Sequence, residues 1–271
     1  MKNKGTKLVE FKNQKGEILR GLIDFSKSEK GVIFIHGLEG TTITMHYKRI
    51  VDRLKNKVNL FRFDFSGSPF SDGKFRDLTV EKWKRELEKA IEVFRKEIPW
   101  LKEIILVAHS LGCCVVLEFL KEHPGLIKKV VFLAPAWNQK ELLRYWFVKE
   151  KFEEEIEITW ENFKEYLDEK EFQREIRKKK REISFHFLLN YYFLENFNKD
   201  YQDLFGKIKF DLKNVLIVHG ENDDVVPISS NFKVYKKKGL KMIIVKKGDH
   251  DLEKPSMVRQ YLSKTCKFIL N

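Results

Sequence analysis

Ile104-Ile105-Leu106-Val107-Ala108-His109-Ser110-Leu111-Gly112-Cys113-Cys114-Val115-Val116-Leu117-Glu118-Phe119-Leu120 decides the fold of this chain. Its first five residues are an unbroken apolar run, suited to a parallel strand buried on both faces, and residues 113–120 continue as an apolar helix. Only a very tight turn can join the two. In such a turn the central residue is held in a strained backbone conformation, and small residues two before and two after it relieve the crowding. Ala108 and Gly112 occupy those places and push the Ser110 hydroxyl outward, so Ser110 is the candidate nucleophile. The commoner spacing G-x-S-x-G has Gly where this chain has Ala108, but the steric demand is for smallness.

Three further apolar runs end in chemically informative loops. Residues 32–35 lead into His36-Gly37-Leu38-Glu39-Gly40, residues 215–218 into His219-Gly220-Glu221-Asn222-Asp223, and residues 241–245 into Gly248-Asp249-His250. Ser110, Asp223 and His250 thus each follow the C-terminal end of a predicted strand, the edge at which open parallel sheets place their sites. Their chemistry is complementary. A serine hydroxyl needs a base within hydrogen-bond reach, and that base needs a carboxylate to fix its tautomer and stabilise its charged form. The oxyanion of an attacked acyl group needs donors already in place, for which backbone N–H groups serve best. Leu111, just after the nucleophile, and Leu38, in the first Gly-rich loop, are expected to supply them. The implied reaction is two-step acyl transfer that requires no cofactor and no metal.

Taken together these stretches resemble the α/β-hydrolases of the serine esterase type, with His36-Gly37 at the oxyanion loop, Ala108-His109-Ser110-Leu111-Gly112 at the nucleophile elbow, His219-Gly220-Glu221-Asn222-Asp223-Asp224-Val225-Val226-Pro227 at the acid loop and His250 as base. The order Ser, Asp, His is that of the family. A closer resemblance runs through Asp64-Phe65-Ser66-Gly67-Ser68-Pro69-Phe70-Ser71-Asp72-Gly73-Lys74-Phe75, which is similar to the segment after the fourth strand of bacterial cinnamoyl and feruloyl esterases. Those enzymes hydrolyse esters of hydroxycinnamic acids and other small acyl groups. Pro69 stands where that pattern usually has a second Gly. The resemblance implies an α/β-hydrolase fold with a mostly parallel central sheet flanked by helices. It also implies a helical cap inserted after the sixth core strand, so that residues 1–135 and 207–271 form the core and 136–206 the cap. A monoacylglycerol lipase or acyl-thioesterase would share every catalytic residue and differ in the cap. A non-catalytic binding protein on a hydrolase scaffold is the alternative from another class.

The remaining candidates have plainer readings. The Gly-x-x-Asp-x-x-Val-Pro spacing from Gly220 to Pro227 matches the family acid at Asp223 and leaves Asp224 as a solvated turn residue. His36 and His219 are expected to donate to loop carbonyls, and His109 to be packed and hydrogen-bonded. Asp249 and Asp251 are expected to order the loop around His250, and Glu39 to point away from the oxyanion. His46, His123 and His186 have no motif around them.

Organisation and composition agree with one elaborated domain. Antiparallel leading strands are expected near 7–11 and 17–25, then alternating strands and helices to about Pro135, a pattern that predicts a mostly parallel sheet. Between Trp137 and Phe205 fall 17 of the chain's 36 aromatic residues, either to line a substrate pocket or to build a helical lobe's own core. At 271 residues and 42% hydrophobic the chain can bury one large core. The net charge of +13 invites a nucleic-acid reading. Its basic residues are largely mixed with acids, as in residues 81–89, a predicted amphipathic and solvated helix, so neither a nucleic-acid nor a membrane partner is expected. The expected partner is a small-molecule ester. The assembly state stays open, a homodimer being one form it allows. Residues 1–7 lack the apolar stretch of a signal peptide, and three cysteines, two of them adjacent, make no disulfide framework. Both point to the cytoplasm.

Overall fold

The computed structural model describes residues 5–43, 45–152, 155–177 and 199–271. Among them, β1 (Gly5–Lys12), β2 (Ile18–Phe25), β3 (Lys30–Ile35), β4 (Asn59–Phe63), β5 (Glu103–His109), β6 (Lys129–Leu133), β7 (Val215–Gly220) and β8 (Lys241–Val245) form one sheet. Their spatial order is β1-β2-β4-β3-β5-β6-β7-β8. β2 runs antiparallel to both neighbours, and every pairing from β4 to β8 is parallel. The mostly parallel sheet is the one expected from the strand and helix alternation, and the architecture is the α/β-hydrolase fold that the family resemblance implies.

The central strands β3, β5, β6 and β7 are buried on both faces because two helical layers cover them, whereas β8, at the edge of the sheet, leaves Met242 and Ile244 exposed. Ile104, Leu106 and Ala108 of β5 join a core with Trp83, Leu87 and Phe94 of α2 (Val80–Glu97) and the apolar face of α3 (Gly112–Glu122). Ile105 and Val107 point the other way, toward Tyr47 and Ile50 of α1 (Met45–Leu54) and Tyr261 of the C-terminal helix Pro255–Leu270. Each buried Leu, Ile, Val or Phe among them contributes about 1.5–3 kcal/mol. α2 begins where the Thr79 hydroxyl accepts from Lys82 N at 2.9 Å, which satisfies one of the four open N–H groups of its first turn.

One expectation about α2 is corrected. Its outer face carries ion pairs, Arg85 with Glu81 at 3.0 Å and Lys89 with Glu92 at 2.6 Å, as a solvated face should. Glu86 and Lys84, however, are buried. Glu86 accepts from Ser66 N at 2.9 Å and from Asn13 Nδ2 at 2.7 Å, so it supplies the acceptor that the turn after β4 requires. Burial raises its pKa above the ordinary carboxylate value. Charge periodicity places a residue on a helix but not under the loop that will fold over it.

Between β6 and β7 the chain leaves the alternating pattern. α4 (Gln139–Lys151), a turn at Phe163–Glu165, α5 (Glu169–Arg177) and α6 (Gln202–Phe205) lie there, while residues 153–154 and 178–198 of the expected cap, His186 included, lie outside the described residues. The rings that are described pack on one another: Tyr145 with Trp160 and Phe163 at 5.6 and 5.7 Å, Phe147 with Phe172 at 5.4 Å, and Trp137 with Phe205 at 5.0 Å. Such tilted and edge-on pairs add about 0.5–1.5 kcal/mol beyond area burial. These rings are not a separate core: Trp137 packs on Phe132 of β6 at 5.0 Å, and the whole group joins the core beneath that face of the sheet.

Candidate active site

The turn between β5 and α3 is as tight as the sequence requires. Ser110 has φ of 50°, the left-handed region, where a non-glycine residue costs about 1–3 kcal/mol unless its surroundings hold it. Here they do. Ser110 N donates to Leu133 O at 3.0 Å, and Ser110 O accepts from Cys113 N at 3.1 Å and Ala136 N at 3.3 Å, which ties the elbow to the end of β6. The small residues have a measurable reason. A Cβ on Gly112 would lie 2.5 Å from His36 O and 2.7 Å from Ile35 O, and one on Gly37 would lie 2.8 Å from the Cβ of Ser110. The first loop and the elbow therefore meet backbone to backbone, and only glycine allows that approach.

Ser110, Asp223 and His250 come together at the C-terminal edge of the sheet. His250 Nε2 is 3.1 Å from Ser110 Oγ, and His250 Nδ1 is 2.8 Å from Asp223 Oδ2. The other carboxylate oxygen accepts from Val225 N at 3.1 Å and Val226 N at 2.7 Å. The Asp223 side chain is fully buried, and that of His250 is 12% exposed. Burial alone would raise the pKa of Asp223, but the charge on His250 and hydrogen bonds from His219 and His250 outweigh it and hold the carboxyl well below the usual carboxylate range. Burial would likewise strip the proton from His250. Asp223, by charge and hydrogen bond, with Asp251 and Asp224 behind it, reverses that effect, and the net pKa is raised above 6.5.

Leu111 follows Ser110 directly, and Leu38 follows Gly37, whose backbone packs against Ser110. Among the described residues neither of their backbone N–H groups has an acceptor. Leu38 is held by its loop: His36 Nδ1 donates to Gly37 O at 2.8 Å, while His36 Nε2 accepts from Phe65 N at 3.1 Å. His36 thus has the structural role expected of it, and burial lowers its pKa. Asp64 binds the same loops from below, accepting from Thr42 N and Oγ1 and from Phe70 N. Glu39 is exposed, with φ of 56°.

The remaining predicted residues fall into place around this centre. Asp249 Oδ1 accepts from Leu252 N at 3.0 Å and so orders the loop carrying His250. Asp224 is exposed as expected, and it also pairs with Lys149 at 2.9 Å. Three contacts were not legible in the sequence. His109 Nε2 is 3.1 Å from the carbonyl oxygen of His250, and α4 grips the acid loop through Tyr145 Oη to Asp224 O at 3.1 Å and Trp146 Nε1 to Val225 O at 2.6 Å. Each joins residues dozens of positions apart, and no local pattern marks them. Among the described residues, Glu88, Glu122 and His123 are close enough to share a metal ion, but the Lys84 ammonium already sits 2.7 Å from Glu122 and 4.0 Å from Glu88, at the opposite end of α3 from Ser110.

Comparison with known proteins places the fold and the family. The probable lysophospholipase BODYGUARD 1 of Arabidopsis thaliana is 32% identical over 117 residues, which are 41% of this chain and 24% of that protein; the chain spans about a quarter of such a relative. Est1E from Butyrivibrio proteoclasticus, solved with ferulic acid bound, superposes with a TM-score of 0.69 at 22% identity, covering 97% of this chain and 96% of that one. The Pyrococcus furiosus esterase Pf2001 gives 0.69 at 20% identity, covering 97% and 90%. At these identities the two structures establish a shared fold. The family described as serine aminopeptidase, S33, matches residues 26–254, from the end of β2 to the loop beyond His250. With so much of its length matched and its sheet in this order, the chain belongs to the S33 family of α/β-hydrolases.

Proposed function

We propose that the protein is a serine carboxylester hydrolase that works through an acyl-enzyme on small or aromatic esters of the cinnamoyl and feruloyl kind. The observation that carries this reading is the continuous line from Ser110 Oγ through His250 to the buried Asp223 carboxylate, at 3.1 and 2.8 Å. In this reading His250 Nε2 accepts the Ser110 proton as Oγ attacks the ester carbonyl, and Asp223 holds Nδ1–H and stabilises the imidazolium. The oxyanion accepts from Leu38 N and Leu111 N. Collapse breaks the ester C–O bond, and the alcohol leaves with the proton from His250. Water, deprotonated by the same imidazole, then cleaves the acyl-enzyme and releases the acid. The chemistry calls on no cofactor.

The substrate class rests on the segment from Asp64 to Phe75 and on the ferulic acid bound by Est1E. A second reading, a lipase acting on monoacylglycerols or an acyl-thioesterase, is favoured by the lysophospholipase name of BODYGUARD 1. Three buried free cysteines support a reducing, cytoplasmic setting, and no described helix is long and apolar enough to cross a membrane. The test has two parts. A fluorophosphonate probe should label Ser110 alone, and Ser110→Ala should lose about 10⁶ in turnover. Specificity constants for p-nitrophenyl butyrate and methyl ferulate should exceed that for p-nitrophenyl palmitate. Labelling of another serine would end the mechanism, whereas preference for palmitate or monoacylglycerol would end only the substrate assignment.

A further inference from the structure

The acid turn is held from the core side by two side chains, one buried and one half-buried, that the reaction itself does not use. His219 is the penultimate residue of β7 and is fully buried. Its Nε2 lies 2.8 Å from Val226 O and 3.3 Å from Asp223 Oδ2, and its Nδ1 lies 2.5 Å from Tyr235 Oη, on the single helical turn Phe232–Tyr235. The directions of these bonds can be assigned. Both neighbours of Nε2 are acceptors, so Nε2 carries the proton. Tyr235 Oη has Asn231 Nδ2 on its other side at 3.5 Å, and that amide is anchored on Pro135 O at 2.6 Å through the same nitrogen. The Asn231 amide nitrogen can only donate, so the phenolic proton goes to His219 Nδ1. Burial raises the Tyr235 pKa well above the ordinary phenol value, which keeps it a donor.

Val226 is consequently gripped from both sides. Its N–H donates to Asp223 Oδ1 at 2.7 Å, while its carbonyl accepts from His219 Nε2–H. We infer that His219, with its tautomer set by Tyr235, is a positioning residue that locks the turn 223–226 and aims the Asp223 carboxylate at His250. Its proton stays on Nε2 throughout. The inference deepens the hydrolase reading and rests on it for its kinetic consequence, but the bond directions are properties of the resting protein.

The experiment compares His219→Leu, His219→Gln and Tyr235→Phe with the unaltered chain. Gln keeps an N–H donor near the Nε2 position; Leu keeps only volume. With p-nitrophenyl butyrate, His219→Leu should lower kcat about 10–100-fold at unchanged KM, as expected when a catalytic group is misaimed by a fraction of an ångström. His219→Gln should recover to within about fivefold, and Tyr235→Phe should fall between the two. Histidine ¹⁵N NMR should find His219 as the Nε2–H tautomer, with the His250 Nδ1 proton shifted far downfield and lost in His219→Leu. A His219→Leu enzyme with full kcat, or a Gln variant no better than Leu at equal melting temperature, would overturn the proposal. So would the Nδ1–H tautomer. Should the Leu variant fail to fold, the Gln and Phe variants and the tautomer still decide. Should the unaltered protein hydrolyse no ester, the hydrolase reading fails while the NMR result stands or falls alone.

Discussion

Around Ser110 the geometry is set by backbone packed on backbone, whereas around Asp223 and His250 it is set by side chains reaching across the fold. The elbow is fixed by Gly112 under His36 O, Gly37 against Ser110 and three main-chain hydrogen bonds. The acid and base are fixed by His219, Tyr235, His109, Tyr145 and Trp146, drawn from separate stretches of chain. Steric construction leaves little freedom, and a single added methyl group strikes main chain that cannot move aside. Side-chain construction is softer, and the loss of one bond is shared among several that remain. The first kind of construction fails in stability when damaged, the second in turnover.

The sharpest way to break that contrast lies in the two adjacent acids. Asp223→Asn leaves the turn's backbone donors in place but removes the charge that His250 needs, and turnover should fall about 10⁴-fold. Asp224→Asn removes one exposed partner of Lys149, and exposed pairs of this kind contribute about 0–1 kcal/mol, so turnover should change by less than about threefold. Initial rates of both variants on one ester measure the difference. Comparable, mild effects would mean that Asp223 does not orient the base.

On the elbow side the damage should appear in unfolding. Gly112→Ala drives a Cβ to 2.5 and 2.7 Å from two carbonyl oxygens, and overpacking of this sort costs about 1–3 kcal/mol. Gly125 has nothing within 4 Å of its added Cβ, so Gly125→Ala should stay within about 0.5 kcal/mol. Urea unfolding of the two variants tests this. Equal midpoints would show that the first loop yields to the elbow and that the contact is not rigid.

The same contrast explains what could be read from the sequence. Backbone construction needs small residues at fixed offsets, so Ala108, Gly112, Gly37 and Gly220 spell out the elbow and its neighbouring loops in the order of residues alone. Ser110, Asp223 and His250 were legible because each follows an apolar strand, and parallel strands bring their C-terminal ends to one edge. Side-chain construction leaves no such trace. That His109 would meet the His250 carbonyl, or Tyr235 the ring of His219, depends on how helices settle after the sheet forms. Glu86 failed in the same way: its periodicity matched a solvated face, and the turn after β4 drew it inside. The aromatic excess between Trp137 and Phe205 was plain, but whether a ring faces substrate or another ring is decided by packing.

The smallest expected effect concerns pH. The proposed mechanism needs unprotonated His250, whose pKa is raised above 6.5 because Asp223, Asp251 and Asp224 outweigh its burial. The acid limb of kcat/KM should therefore lie above pH 6.5, and lowering the pH by one unit below it should cost about tenfold. Stability runs the other way. A raised folded pKa means that His250 contributes fully below its unfolded value of 6.5 and loses that contribution as pH climbs through the folded value. The depressed pKa of Asp223 acts at the other end: its contribution is fully present above the ordinary carboxylate value of 3.8 and is lost progressively as pH falls from there through the lower folded value. Over the limb of the activity profile, then, turnover should rise with pH while the melting temperature falls slightly. Asp223→Asn removes the chief partner and leaves desolvation in command, so its His250 resonance should titrate below that of the unaltered protein. A profile with no limb above pH 6.5, or an unshifted His250 titration in Asp223→Asn, would show that the side-chain half of the site tunes its base less than its geometry implies.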